Sequence, residues 1–243
     1  MPSWADLRTL AQGVERLLLP GECLLCRATL AAREWEALVC ALCRLRWRAV
    51  PAPWCDRCGQ PVLPDLGCRF CAAWDESLSR VRSAVWLDGS ARDAVHHLKY
   101  DGWRGVAPAL AAPMRRLEPL EPGAVLVPIP LGRARRRSRG YNQAEELARA
   151  LGRVTGLAVR PDLLRRARET RSQTALAPTA RAANVQGAFM ASGGRGARLV
   201  LVDDVCTTGA TLVAAARALR SAGAGRVEAV TFARAPLPVP GGM

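Results

Sequence analysis

The stretch with the most chemical content is Leu199-Val-Leu-Val-Asp203-Asp204-Val-Cys-Thr207-Thr208-Gly209-Ala210-Thr211. Four apolar residues, Leu199 to Val202, give way abruptly to two adjacent carboxylates and then to a short loop rich in Thr and Gly. A buried parallel strand hands the residues after it to the carboxyl edge of its sheet, where ligands of such sheets bind. In the loop, Gly209 lets backbone N–H groups approach an anion, and the hydroxyls of Thr207, Thr208 and Thr211 can donate to it. A helix starting at the loop would favour the same negative charge. Two carboxylates beside an anion cradle are unfavourable unless they serve hydroxyl donors or a cation. A ribose 5-phosphate meets both needs, with vicinal hydroxyls for Asp203 and Asp204 and a phosphate for the loop.

Two other readings compete for this stretch. A polar strand-to-helix turn with an ordinary cap accounts for a threonine or two, but less well for the ordered set Asp-Asp-x-x-Thr-Thr-Gly-x-Thr. An NTPase with Val-Asp-Asp as its magnesium-binding strand end needs a Gly-x-x-x-x-Gly-Lys-Ser/Thr loop. The chain has none, and its only lysine is Lys99.

The second chemical pattern is cysteine. Eight of the nine cysteines form Cys-x-x-Cys pairs: Cys23/Cys26, Cys40/Cys43, Cys55/Cys58 and Cys68/Cys71. Two thiolates on one tight turn reach a single tetrahedral ion, and two such turns complete a four-cysteine site. Gly59, directly after Cys58, suits a turn that needs a positive φ. A disulfide framework fits poorly, because nothing indicates export and reducing cytosol disfavours disulfides. Four redox pairs in tandem are hard to motivate. Two zinc ions are therefore expected, paired either sequentially (23, 26, 40, 43 and 55, 58, 68, 71) or in an interleaved arrangement. With all eight thiolates engaged, no open coordination position is left, so the zinc is structural, and this apolar-poor region should not fold without it. Cys206, the ninth cysteine, reads as a small filler in the loop rather than a nucleophile.

These patterns must be held by a folded scaffold, and the composition allows one. At 243 residues, half of them apolar, the chain can bury one α/β core plus a small module. Its formal charge of +14 rests almost wholly on arginine; compositional bias toward Arg is the main cause, yet such a surface still attracts polyphosphates and nucleic acid. Residues 1–20 lack the charged-then-apolar pattern of a secretory signal. Leu7, Leu10, Val14, Leu17 and Leu18 recur at helical spacing, which predicts an amphipathic helix packed on its own protein rather than a membrane anchor. No apolar run approaches the roughly 20 residues that span a bilayer. A cytoplasmic protein is expected, with an N-terminal helix (1–20), a double zinc ribbon (21–76) and an α/β domain (77–243).

From Val81 onward strand-like and helix-like stretches alternate. Strands are predicted at 81–86, 124–127, 157–160, 197–202 and 227–233. Helices are predicted at 91–99 behind a Ser90/Asp93 cap, at 106–117 despite Pro108 and Pro113, at 144–154 between Asn142/Glu145 and Gly156, and at 211–222 before Gly223. Such alternation argues for a mostly parallel sheet covered on both faces.

Taken together, the motifs resemble the type I phosphoribosyltransferases and, within them, the ComF family of competence proteins, over nearly the whole chain. The four Cys pairs are similar to that family's double zinc ribbon. Val127-Pro-Ile-Pro-Leu131, followed by Arg133, Arg135 and Arg139-Gly-Tyr-Asn142-Gln143, resembles its arginine-rich second motif. Arg171-Ser-Gln173 with Arg181-x-x-Asn184-Val-Gln-Gly187-Ala-Phe189 resembles its third, and Val200 to Leu212 its phosphoribosyl-pyrophosphate signature. The resemblance implies that Asp203 and Asp204 hold the ribose hydroxyls and that Thr207, Thr208, Gly209, Ala210 and Thr211 hold the 5-phosphate, with Mg2+ accompanying the sugar pyrophosphate. It makes Arg133 and Arg139 pyrophosphate contacts and places Arg181 on a flexible covering loop that excludes water. Lys99 is a further candidate near the pyrophosphate, or else a solvated helix end. One departure stands out: several base-salvage transferases carry a carboxylate general base where this chain has Thr207, which cannot take a proton at neutral pH.

Three functions follow as expectations. The first is a competence factor acting in single-stranded DNA uptake, with the cluster Arg133–Arg139 on the backbone and Trp47, Trp54 and Tyr141 available to stack on bases; the same cluster can instead bind pyrophosphate alone. The second is a working phosphoribosyltransferase with an unidentified acceptor. The third is a ligand-regulated module whose zinc ribbon docks a partner such as a competence DNA translocase.

Overall fold

The computed structural model describes residues 21–62, 67–168 and 187–236. The predicted N-terminal helix, Arg171-Ser-Gln173 and Arg181 with its neighbours through Gln186 lie outside the described residues.

After a short helix α1 (Ala41–Leu45), the α/β part begins with β1 (Arg80–Trp86) and α2 (Gly89–Tyr100). There follow α3 (Ala107–Met114), β2 (Val125–Pro128), α4 (Arg133–Arg139), α5 (Gln143–Thr155) and β3 (Ala158–Val159). Next come β4 (Leu164–Arg166), β5 (Phe189–Ala191), β6 (Arg198–Cys206), α6 (Ala210–Ser221) and β7 (Arg226–Arg234). The five-stranded sheet has the order β1-β7-β6-β2-β3 and every pairing in it is parallel. β4 and β5 form a separate antiparallel pair, which the sequence reading missed because each strand is only three residues long.

Residue alternation on the central strands builds the two-sided core. Val200 and Val202 of β6 pack with Leu98, Leu110, Leu147, Leu151 and Phe232 on the face covered by α2, α3 and α5. Leu199 and Leu201 face the other way, onto Leu212, Ala216 and Leu219 of α6. A strand buried on both faces reads as a continuous apolar run, as β6 does up to Val202.

Local signals set the ends of α5. Asn142 caps it, its side-chain oxygen accepting from Ala144 N at 3.2 Å, and Gly156 ends it in the left-handed region at φ +73°. The expected Ser90 cap is displaced: α2 starts at Gly89, behind Asp88, so Ser90 lies inside the helix. Two further differences matter for the site. β6 runs through Asp203 and Asp204 to Cys206, so the acidic pair lies on the strand, held by parallel pairing with Thr231, Ala233 and Arg234 of β7. The arginine cluster 133–139 is a helix, opened at Gly132 and closed by Gly140 at φ +80°.

The cysteine region packs against this core. Cys23, Cys40, Cys43, Val39 and Trp47 join the core face that holds α2 and α3. The chain between the two cysteine clusters covers the outer edge of β1: Val50 N donates to Ala84 O at 3.3 Å and Trp86 N to Arg48 O at 2.8 Å. An otherwise open edge strand is thereby paired.

Candidate functional site

The eight paired cysteines converge in two groups, Cys23, Cys26, Cys40, Cys43 and Cys55, Cys58, Cys68, Cys71. Pairing is thus sequential. Sγ–Sγ separations are 3.9 Å for Cys23–Cys43, 3.7 Å for Cys26–Cys40, 3.7 Å for Cys55–Cys71 and 3.5 Å for Cys58–Cys68. A tetrahedral ion with Zn–S bonds of about 2.3 Å requires sulfur–sulfur edges of about 3.8 Å, whereas a disulfide needs about 2.05 Å. The donor set and its spacing fit zinc and exclude cross-links between these pairs. Gly59 takes the expected positive φ of +67°, and a Cβ there would sit 2.8 Å from Val81 O, so the second cluster can approach β1 only with glycine at this turn.

At the carboxyl edge of the sheet, a cleft of about 510 Å³ opens between the end of β6, the start of α6, the β2–α4 connection and the last turn of α2. Its size suits a small phosphorylated ligand. Asp203, Asp204, Thr207, Gly209, Ala210 and Thr211 line one wall; Arg135 and Arg139 of α4 face them, and Lys99, Tyr100 and Arg166 also border it. Gly209 stands in the left-handed region at φ +76° and is the residue from which α6 begins. The first N–H groups of a helix have no intrahelical partner, so this end of α6 offers donors and a partial positive charge. Thr208 is not among the residues lining the cleft; its Oγ1 accepts from Ala210 N at 3.4 Å, which tightens the loop.

The charges in the cleft are organised around Asp204, which is 3 % exposed. Lys99 Nζ lies 2.6 Å from Asp204 Oδ2. Burial alone would raise this carboxyl, but the Lys99 ammonium outweighs it and holds Asp204 below the usual carboxylate range. Asp203, whose Oδ1 accepts from Asp204 N at 2.9 Å, is driven the opposite way: burial and then the neighbouring Asp204 charge push it well above that range. Two adjacent carboxyls therefore stand side by side with their proton affinities pushed in opposite directions, placed where the hydroxyls of a diol could reach both. Lys99 is no solvated helix end.

The α4 helix decides which arginines reach the cleft. Arg135 and Arg139 are one turn apart and share the cleft face; Arg139 Nη1 donates to Gln143 Oε1 at 2.5 Å, and its guanidinium lies 5.3 Å from the Tyr100 ring centroid. Arg133 is exposed and outside the lining. Arg135 and Arg166 are therefore the residues that the sequence reading undervalued. The i, i+4 spacing of Arg135 and Arg139 would have shown the first had α4 been recognised; nothing local in the sequence points to Arg166. Two of the aromatic residues expected to stack on bases are buried instead: Trp47 packs edge-on against Phe232 at 5.0 Å, and Tyr141 donates its hydroxyl to Leu98 O at 2.5 Å. Cys206 is 1 % exposed, with burial pushing its thiol up, as befits packing rather than attack.

A parallel sheet of this order, with an acidic pair and a Thr/Gly loop at its carboxyl edge, defines a domain of the type I phosphoribosyltransferase kind. Residues 137–237 match the phosphoribosyl transferase domain family, and residues 14–73 match the double zinc ribbon domain family. The chain is 32 % identical over 223 residues to the DNA utilization protein YhgH of Salmonella typhimurium, covering 87 % of this chain and 96 % of that protein. It is 28 % identical over 243 residues to the competence protein ComFC of Bacillus subtilis, covering 91 % and 97 % of the two. Competence protein F of Haemophilus influenzae is 32 % identical over 125 residues, 50 % of this chain and 55 % of that one. The chain belongs to the ComF family.

Proposed function

We propose that the cleft binds phosphoribosyl pyrophosphate together with Mg2+, and that the protein uses this site while handling single-stranded DNA in natural transformation. The observation that carries the ligand assignment is the meeting, in one cleft, of Asp203 and Asp204 with the loop Thr207–Thr211 on one wall and Arg135 and Arg139 on the other. In this reading the carboxyls take the ribose 2- and 3-hydroxyls, the loop amides and the hydroxyls of Thr207 and Thr211 take the 5-phosphate, and the two arginines take the pyrophosphate. Mg2+ enters with the pyrophosphate and offsets its charge. Arginine suits this wall because its planar fork binds phosphate oxygens in pairs. Calorimetry with phosphoribosyl pyrophosphate and Mg2+ tests the assignment: wild type should bind, and Asp204→Ala should bind at least about tenfold more weakly. Equal binding by the two would remove it.

The DNA role rests on the names carried by the relatives and on the surface beside the cleft. Tyr100 is 63 % exposed beneath the Arg139 guanidinium, and Trp103, next to Arg104, is 45 % exposed. Flat side chains interleaved with arginine suit stacked bases and a phosphate backbone. They stand in for the buried Trp47 and Tyr141, whereas the Trp54 ring is occupied by the Arg82 guanidinium at 5.8 Å. Affinity for an oligothymidine should fall steeply as salt rises, and affinity indifferent to salt would refute the assignment. Cytoplasmic action follows from this role, because the expected partners (the sugar pyrophosphate and a DNA translocase at the inner face of the membrane) are met there. Turnover is a separate question from binding. With Thr207 in place of a carboxylate, any acceptor must arrive already deprotonated or lose its proton to another group.

A further inference from the structure

The second cysteine cluster does more than pack beside the core. Trp74, three residues beyond Cys71, reaches the loop at the head of α6. A Cβ placed on Gly209 would meet the Trp74 indole at 2.1 Å from Cζ2, closer than any real contact, so the ring lies directly against the Gly209 backbone. The Trp74 backbone is held from both knuckles of the cluster, and its ring is packed by an aromatic neighbour. Trp74 N donates to Cys71 O at 3.0 Å, on the second knuckle. Arg57, between Cys55 and Cys58 on the first, donates Nη1 to Trp74 O at 3.0 Å, and another N–H to Asp75 O. Phe70, between Cys68 and Cys71, packs edge-on against the indole at 5.7 Å. From the opposite side, Arg217 of α6 donates Nε to the Asp75 carboxylate at 2.9 Å.

We infer that Trp74 is a positioning residue through which the second zinc ribbon sets the shape of the loop Thr207–Thr211, and thereby the affinity for a phosphate monoester. The inference rests on the reading of that loop as the 5-phosphate cradle. The physical reason is that a Gly at φ +76° is held there by its surroundings and not by its own preference, since glycine visits many backbone states. An indole against its Cα removes the alternatives that would swing the loop amides out of line. Trp74 is not among the residues that line the cleft, so its ring does not border the space a ligand would fill. Its effect is therefore on geometry and not on contact. The arginine wall of the cleft comes from α4, which Trp74 does not touch by any of these contacts, so the pyrophosphate end should be indifferent to it.

The test uses the full zinc-loaded chain. Trp74→Ala is compared with wild type and with Trp54→Ala, a tryptophan of the same ribbon that faces Arg82 instead. Dissociation constants are measured for ribose 5-phosphate and for Mg2+–pyrophosphate, and hydrogen exchange is followed for the 206–211 backbone without ligand. Trp74→Ala is expected to weaken ribose 5-phosphate by about tenfold or more, as small misplacements of binding groups do, to leave pyrophosphate unchanged, and to speed exchange in the loop. Trp54→Ala should do none of these. Unchanged loop exchange, or equal loss of both ligands, overturns the inference. If wild type binds neither ligand, the phosphate-site reading fails, yet loop exchange still decides whether Trp74 holds the loop. Should Trp74→Ala lose zinc, Trp74→Phe decides instead: its shorter ring keeps apolar bulk but cannot reach the Cζ2 position, so faster loop exchange is again expected and wild-type exchange refutes.

Discussion

Replacing Lys99 with methionine isolates the strongest electrostatic contact in the cleft. The ammonium lies 2.6 Å from an Asp204 oxygen, with the lysine side chain 22 % and the aspartate side chain 4 % exposed. At an effective dielectric of about 20, two unit charges at this distance attract by about 6 kcal/mol, and the desolvation of both ions cancels much of that. Removing one partner strands the other, which costs about 3–5 kcal/mol for buried pairs; partial exposure of Lys99 argues for the lower end, about 3 kcal/mol. For a chain of this size that corresponds to a drop of roughly 6–12 °C in Tm. Because Asp204 is held below the ordinary carboxylate range, its stabilisation is full above the unfolded value of about 3.9 and is lost as pH falls through the folded value. Urea unfolding at pH 7.5, with zinc saturating and common to all variants, should show the loss in Lys99→Met. The double variant Lys99→Met/Asp204→Asn should recover most of it, since an absent pair leaves no orphaned charge. A Lys99→Met cost below about 1 kcal/mol, or a double variant as unstable as the sum of the singles, would refute this account of the cleft.

Other outcomes follow from the same geometry. Asp203 has a folded value raised above its unfolded one, so its ionisation opposes folding at any pH above about 4; Asp203→Asn should raise Tm at neutral pH while weakening phosphoribosyl-pyrophosphate binding, and a lower Tm would contradict the assigned direction. Arg135→Ala and Arg139→Ala should each weaken that ligand by about tenfold or more, the worth of a charge-assisted contact, whereas calorimetry on Arg133→Ala should match wild type. Elemental analysis should give two zinc ions per chain, one for each four-cysteine group; Cys58→Ser should lose one of them, and strong chelators should unfold the cysteine region.

Much of the scaffold was legible because its signals are local. The apolar run Leu199–Val202, the Asn142 cap, the Gly156 stop and the Cys-x-x-Cys spacing each depend on residues only a few positions apart. Chemistry read from those stretches located the acidic pair and the Thr/Gly loop in one ordered motif. β6 runs past its expected end at Val202: two carboxylates look like the end of a strand, but parallel pairing with β7 carries the strand on to Cys206. Tertiary context overrides local polarity in that way when a neighbour supplies the hydrogen bonds.

What the amino-acid order determined by itself was therefore the kind of parts: eight thiolates in metal-binding pairs, an α/β alternation, and a carboxylate–hydroxyl loop suited to a sugar phosphate. Only the tertiary structure decided which parts meet. It paired the cysteines sequentially, set Lys99 of α2 on Asp204 of β6 across 105 positions of sequence, turned Arg135 and not Arg133 toward the cleft, and laid Trp74 against Gly209. The physical reason is that such meetings are fixed by how helices and strands pack on a shared core, and contact between distant residues leaves no trace in the spacing of their neighbours.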